Sequence, residues 1–332
     1  DYPMWGMPFA LPGLNEEEHR TMLDWLAAGA PPAARAPISD AEQAAVRRWE
    51  TFLNGDSNKE RLMARYLFEH LFLANLYFGG NPDPAWFRVV RSKTPPGEPI
   101  DLIATRRPFD DPGPGRIYYR IQHLPLRPLA KIQLPYRLDD ARMARYRELF
   151  LAPDYVVETL PDYSPELATN PFKTFQVIPA TSRYKYLLDE AQYTIMNFIK
   201  GPVCRGQVAL NVIDDHFWVV FANPDDVDAE HDEAFLAREM DNLRVPTVRT
   251  GTPLDLFSWR QYSKAEQRYQ KARADYVREQ LSAEHRTLDL DAIWNGDGHN
   301  PNAALTIFRH HDSASVVKGF VGEVPKTAWV IG

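Results

Sequence analysis

"RYLFEHLFLANLYFGGNPDPAWFRVVRS", Arg65 to Ser92, holds a change of period that decides the fold class. Its first half continues a helix expected from about Lys59 to Phe78, apolar nearly all round and therefore buried. "GGNPDP" stops that helix. "WFRVVRS" then opens a set of short β-like runs, with "IDLIAT" (Ile100–Thr105) and "RIYYRIQHL" (Arg116–Leu124), separated by Pro and Gly turns.

Upstream, a helix is expected over Asn15–Ala28, then a Pro/Ala linker. Ser39 stands before an acidic first turn, which marks a helix N-cap. Downstream, helices are expected over Asp139–Leu151, Arg183–Ile199, Asp228–Leu243 and Leu254–Leu281. "GQVALNVIDDHFWVVFANP" (Gly206–Pro224) reads as a hairpin with Asp214-Asp215 at its turn. A loop at Asn295–Ala303 leads into "ALTIFRH", "SVVKGF" and "TAWVIG", which alternate like strands. No internal repeat is legible. Helices and hairpins mix without regular βαβ alternation, so the class is α+β.

The 332 residues suffice for two or three domains and a sizeable core. A net charge of −7 argues against general nucleic-acid binding. One cysteine, Cys204, excludes an internal disulfide and any Cys-x-x-Cys pair. No apolar run reaches the roughly 18 residues of a membrane span; Glu69 and His70 interrupt the nearest. Neither a Gly-x-Gly-x-x-Gly turn nor a phosphate-binding P-loop is present.

Several groups of residues invite a chemical reading. Cys204, beside Arg205 in "GPVCRGQ", could act as a nucleophile with a lowered pKa, although a lone cysteine is more often a small buried hydrophobe. Asp214, Asp215 and His216 could ligate a metal, but successive strand residues point to opposite faces; the same objection meets His310-His311. Asp297 and His299 sit in a loop of turn-forming residues. From Ala85 to Phe150 there are 13 Lys/Arg against 7 Asp/Glu, interleaved with aromatics. Arg88, Arg91 and Arg120 in that band suit contact with an anionic membrane surface; the alternative is a solvated basic face with its aromatics turned inward.

"MPFALPGLNEEEHRTMLDWLAAGAPP" (Met7–Pro32) resembles the end of a c-type cytochrome domain, in which the methionine of Met-Pro is an axial haem ligand. That resemblance implies Met7 as an iron ligand and Trp25 as a core residue. "FIKGPVCRGQVALNVIDDHFWVVFANP" (Phe198–Pro224) and "RYLFEHLFLANLYF" (Arg65–Phe78), with the opening stretch, resemble the bacterial fatty acid cis/trans isomerases. The resemblance implies a periplasmic enzyme carrying a c-type haem, acting on cis double bonds of unsaturated phospholipid or free fatty acid. Rotation about such a bond requires its bond order to fall for a moment, which a haem iron can bring about with no net redox change. No Cys-x-x-Cys-His occurs here, and the chain opens on Asp1 and closes on a strand-like run. The expectation is therefore a piece of a longer enzyme. Residues 1–36 would be the tail of a cytochrome c-like domain and 37–332 an α+β domain incomplete at its C-terminal end. Two other readings stay open: a periplasmic electron-transfer cytochrome, and a non-catalytic lipid- or partner-binding module.

Overall fold

The computed structural model describes residues 14–31, 37–79, 84–125, 128, 134–168, 170–200, 214–226, 232–243, 255–285, 287, 289–310 and 313–331. The architecture is mixed α+β, with ten α-helices and two four-stranded sheets among these residues.

Three helices open the chain: α1 (Glu16–Ala27), α2 (Asp40–Leu53) and α3 (Asn58–Leu71). Each starts with a capping box: Asn15 with Glu18, Ser39 with Glu42, Ser57 with Glu60. The cap side chain takes the third residue's amide proton while the glutamate reaches back, which satisfies two otherwise orphaned donors. α1 buries none of its side chains. Trp25, expected in the core, is 47% exposed and donates through Nε1 to the Pro31 carbonyl at 2.9 Å.

α3 ends at Leu71, about two turns earlier than its apolar run predicts. Asn75–Phe78 forms β1 instead, with Leu76 and Phe78 alternating into the core. β2 (Trp86–Ser92) and β3 (Tyr118–Leu124) follow as expected, and β4 is Pro135–Leu138. Of "IDLIAT" only a single bridge forms, between Ser92 and Leu102. The first sheet runs β3-β2-β1-β4, antiparallel except for the parallel pair β1 and β4. α2 and α3 cover it, and Leu62, Met63, Leu67 and Trp49 are buried between them. Each such side chain contributes about 1.5–3 kcal/mol of burial.

The expected helix at Asp139–Leu151 is α4 (Asp140–Tyr146) continued by one wide π-turn, Arg147–Leu151. After the short α5 (Pro165–Ala168) and α6 (Pro171–Thr174) come α7 (Ala180–Asp189) and α8 (Ala191–Lys200), two helices where the sequence suggests one. α7 joins two cores. Tyr184 and Leu188, one turn apart, face the second core, while Tyr186, on the opposite side, enters the first.

β5 (Asp214–Phe221) contains Asp214 and Asp215, which are strand residues and not a hairpin turn. They pair with His310 and Arg309 of β6 (Ala304–His310), and the Asp215 carboxylate binds the Arg309 guanidinium, Oδ1 to Nε 2.7 Å. The expected helix at Asp228–Leu243 is α9 (Glu233–Glu239) with a 3₁₀ turn to Asn242; α10 spans Asp255–Ala283. β7 (Ser313–Lys318) and β8 (Ala328–Ile331) complete a second sheet, ordered β7-β6-β5-β8. β5 and β8 are its parallel pair. Both sheets thus share one topology, third-second-first-fourth, although no repeat is visible in the sequence. Among the described residues no helix is long and apolar enough to cross a membrane.

Candidate functional site

Polar chemistry concentrates where three helices each present an i, i+4 pair, the spacing that sets two side chains on one face. α3 brings Tyr66 and His70, α4 brings Arg142 and Tyr146, and α7 with its C-cap brings Tyr186 and Glu190. β4 adds Tyr136 and α8 adds Tyr193. The Tyr66 ring lies 4.1 Å from the His70 ring and 5.4 Å from that of Tyr186, which is 5.8 Å from Tyr146. Tyr136 and Tyr146 share a hydroxyl–hydroxyl hydrogen bond, Tyr146 donates weakly to Glu190 Oε1 at 3.5 Å, and Arg142 pairs with the same carboxylate. Arg142 also lies 4.0 Å over the Tyr136 ring.

Burial pushes the Tyr66, Tyr136, Tyr146, Tyr186 and Tyr193 phenols well up, so all stay protonated. Burial holds the His70 imidazole below its usual range, against the opposing pull of the Tyr66 carbonyl. Its Nδ1 lies 2.7 Å from that carbonyl, so Nδ1 carries the proton of the neutral ring. Tyr186 Oη is buried with no hydrogen-bond partner. The cluster is sealed. The void beside it, against Trp49, Leu67 and Tyr146, measures about 20 Å³, room for about one water molecule. An acyl chain cannot enter there. The cluster fixes three helices to one another and keeps neutral phenols in line.

Among the described residues two cavities open outward. The larger, about 580 Å³, is lined by Arg48 and Arg137 together with Glu42, Asp139 and Asp140, so its charges compensate one another. The smaller, about 170 Å³, is lined by Arg61, Arg65, Arg116, Tyr119, Leu160 and Tyr163 among others, and by no carboxylate. Arg65 is 5% exposed. Its Nε binds Glu69 at 2.8 Å, its Nη1 donates to the Pro161 and Asp162 carbonyls at 2.7 and 3.1 Å, and the Tyr163 ring covers it at 3.8 Å. Nη2 is buried without an acceptor. Burial pushes the Glu69 carboxyl up, against the lowering effect of Arg65. Arg116 binds the exposed Asp56 at 2.8 Å. No partner is present for the half-buried Arg61 guanidinium among the described residues.

The membrane-contact expectation fails at two of its three positions. Arg91 and Arg120 are 2% and 6% exposed. Arg120 Nε binds Glu50 at 2.9 Å, and Arg91 donates to the Asp110 carbonyl and the Thr105 hydroxyl. The two point to opposite faces of the sheet, since Arg91 pairs with Tyr119 and Arg120 with Val90: Arg91 lies on the core side, and Arg120 is covered by the loop at 94–98, a burial that strand alternation does not reveal. Arg88 is exposed, with Nε on Gln122 Oε1 at 2.9 Å. His216 Nε2 meets the Glu323 carbonyl at 2.8 Å, and Asp297 Oδ1 accepts from Trp294 Nε1 at 3.2 Å. His299 Nδ1 lies 2.9 Å from the Asp297 carbonyl. Among the described residues no three His, Cys, Asp or Glu gather as a metal set. Met7 and Cys204 lie outside the described residues.

The haem implied by the resemblance finds no pocket among the described residues. Neither open cavity is lined by His, Met or Cys. The His70 ring is wedged against Tyr66 and Tyr186, and Met63 is wholly buried in the core. The arginine cavity escaped the sequence reading because Arg116 and Tyr163 come from loops far from α3 in the chain. The available signal was Arg61 and Arg65, two arginines one turn apart on one face of α3.

No curated protein sequence and no solved structure matches the chain. The model of one family, fatty acid cis/trans isomerase, matches it over residues 1–332. With the full length matched, the chain belongs to the fatty acid cis/trans isomerase family, whose reaction is the cis/trans isomerisation of unsaturated fatty acids.

Proposed function

We propose that this protein converts cis double bonds to trans in the acyl chains of bacterial membrane lipids, working in the periplasm at the membrane surface. The observation that carries the reading is the family match over the whole 332 residues. The family is haem-dependent. In this reading residues 1–36 are the tail of the cytochrome-like domain, and Met7 would help hold a c-type haem, which would supply the momentary lowering of bond order without net redox change.

The described residues have a definite share in such a reaction. The first core is closed to an acyl chain, so lipid is held at the outside of the helix-on-sheet unit. The sealed tyrosine cluster keeps α3, α4 and α7 rigid behind that surface. Gas chromatography of fatty acids after the haem-loaded protein has met cis-unsaturated lipid tests the reading. Trans product supports it; its absence, with haem bound and lipid in reach, rejects it.

A further inference from the structure

Three guanidiniums line one cavity of about 170 Å³ into which no carboxylate is built. We propose that this cavity binds the anionic head of an unsaturated lipid, a carboxylate or phosphate oxyanion, between Arg61, Arg65 and Arg116. The lipid nature of the ligand rests on the isomerase reading; the anion site rests on the cavity itself.

Like charges one helical turn apart repel, so Arg61 and Arg65 on the same face of α3 disfavour each other unless an anion lies between them. Glu69 offsets Arg65 from inside the protein, and Asp56 offsets Arg116 only from the solvent side, where a pair is weak. Among the described residues nothing neutralises Arg61. Arg65 in addition keeps a buried Nη2 proton donor with no acceptor, a costly arrangement; that nitrogen is out of solvent contact, so Arg65 acts on the cavity through its charge. Its other nitrogens are fixed by Glu69, Pro161 and Asp162. The guanidinium charge is therefore fixed beside the cavity before any ligand arrives.

The walls suit the carbons next to such a head. Leu53, Ile117 and Leu160 are apolar, and Tyr119 and Tyr163 present rings. At about 170 Å³ the cavity is far larger than the one-water void beside the tyrosine cluster. That admits an oxyanion and a few methylenes and leaves the rest of the chain outside, at the surface where the double bond must be reached. The larger cavity does not compete, since Glu42, Asp139 and Asp140 stand in its wall.

The test is equilibrium dialysis of the whole protein against oleate below its micellar concentration, with oleate methyl ester, a single-chain alkyl phosphate and inorganic phosphate in parallel. Arg61→Gln is the informative variant, because that side chain holds nothing else in place. Lys93→Gln, a surface cation outside the cavity, controls for general attraction, and a thermal melt confirms folding. Oleate should bind wild type and the Lys93 variant alike and the Arg61 variant about tenfold more weakly or worse, the loss of one charge-assisted hydrogen bond. The methyl ester should bind all three weakly. Alkyl phosphate exceeding oleate, with the same Arg61 loss, supports the site and assigns it to a phospholipid head; inorganic phosphate binding as well as either overturns the lipid assignment. Equal binding of acid and ester, or no effect of Arg61→Gln, overturns the site. Failure of the isomerase reading looks different: oleate still bound in an Arg61-dependent way, but no trans product from the haem-loaded protein. Trans product formed with an unchanged KM in the Arg61 variant would sink the site and leave the isomerase standing.

Discussion

Glu50 and Arg120 meet at 2.9 Å inside the protein, joining α2 to β3 across 70 residues of sequence. Glu50 Oε1 also accepts the Ile121 amide at 2.8 Å, while the other Arg120 nitrogens donate to the Thr94, Pro95 and Glu98 carbonyls. Both charges are thus paired and hydrogen-bonded, the condition under which burial is tolerated.

Removing one partner strands the other. Arg120→Leu should cost about 3–5 kcal/mol, because Glu50 would stay buried without its counter-charge. Urea unfolding at neutral pH measures this. A loss below about 1 kcal/mol would mean that the pair behaves as an exposed one. Lost lipid binding in an Arg120 variant would therefore report unfolding and not a missing surface charge.

Acid stability should depend on Glu42. Burial tends to raise its carboxyl, but hydrogen bonds from the Ser39 amide and hydroxyl and the Ala85 amide outweigh it and hold the group below its usual 4.5. The unfolded chain therefore takes up that proton first. The contribution is complete above about pH 4.5 and is lost as pH falls below that through the folded value. Ser39→Ala should cost about 1 kcal/mol at neutral pH and shrink the acid-side loss. Unfolding midpoints between pH 3 and 6 that stay parallel in both proteins would refute the assignment.

The tyrosine cluster predicts an asymmetry. Tyr186→Phe removes a buried hydroxyl that has no partner, so it should leave stability unchanged or raise it by up to about 1 kcal/mol. Tyr146→Phe removes a hydroxyl shared with Tyr136 and Glu190 and should cost about 1–2 kcal/mol. Thermal melts of the two variants decide it; equal losses would show that ring packing, not the hydroxyls, sets the cost.

Local chemistry carried much of this fold into the sequence. The Ser39 cap was legible because a capping box lies within four residues, and β2, β3, β6 and β7 were legible from alternation. α3 was drawn too long because "FLANLYF" is apolar under either period, and only the fold shows Asn75 hydrogen-bonded to Leu134. Asp214 and Asp215 mimicked a turn because the arginine that holds Asp215 in a strand lies 94 residues on. The same distance problem hid the candidate site. Arg65 meets its carbonyl partners 96 and 97 residues away, and nothing local marks Pro161 or Tyr163 as its neighbours.

Asn54 offers a last test, because it closes α2 beside that cavity and spends its whole amide there. Nδ2 donates to the Glu50 and Tyr119 carbonyls, each at 2.7 Å, and Oδ1 accepts the Tyr119 amide at 2.9 Å. A carboxylate cannot donate, so Asn54→Asp would leave two carbonyls unpaired and set a negative charge next to Arg116, whose Nη2 lies 3.3 Å from the Asn54 carbonyl. The expected result is a loss of about 2–3 kcal/mol, the cost of stranding buried acceptors. Asn54→Ala, which loses the bonds without adding charge, should cost about as much. The two separate in binding: the aspartate, as an internal rival anion, should weaken oleate more than the alanine does. Equal oleate affinity in the two variants would place the bound anion away from Arg116.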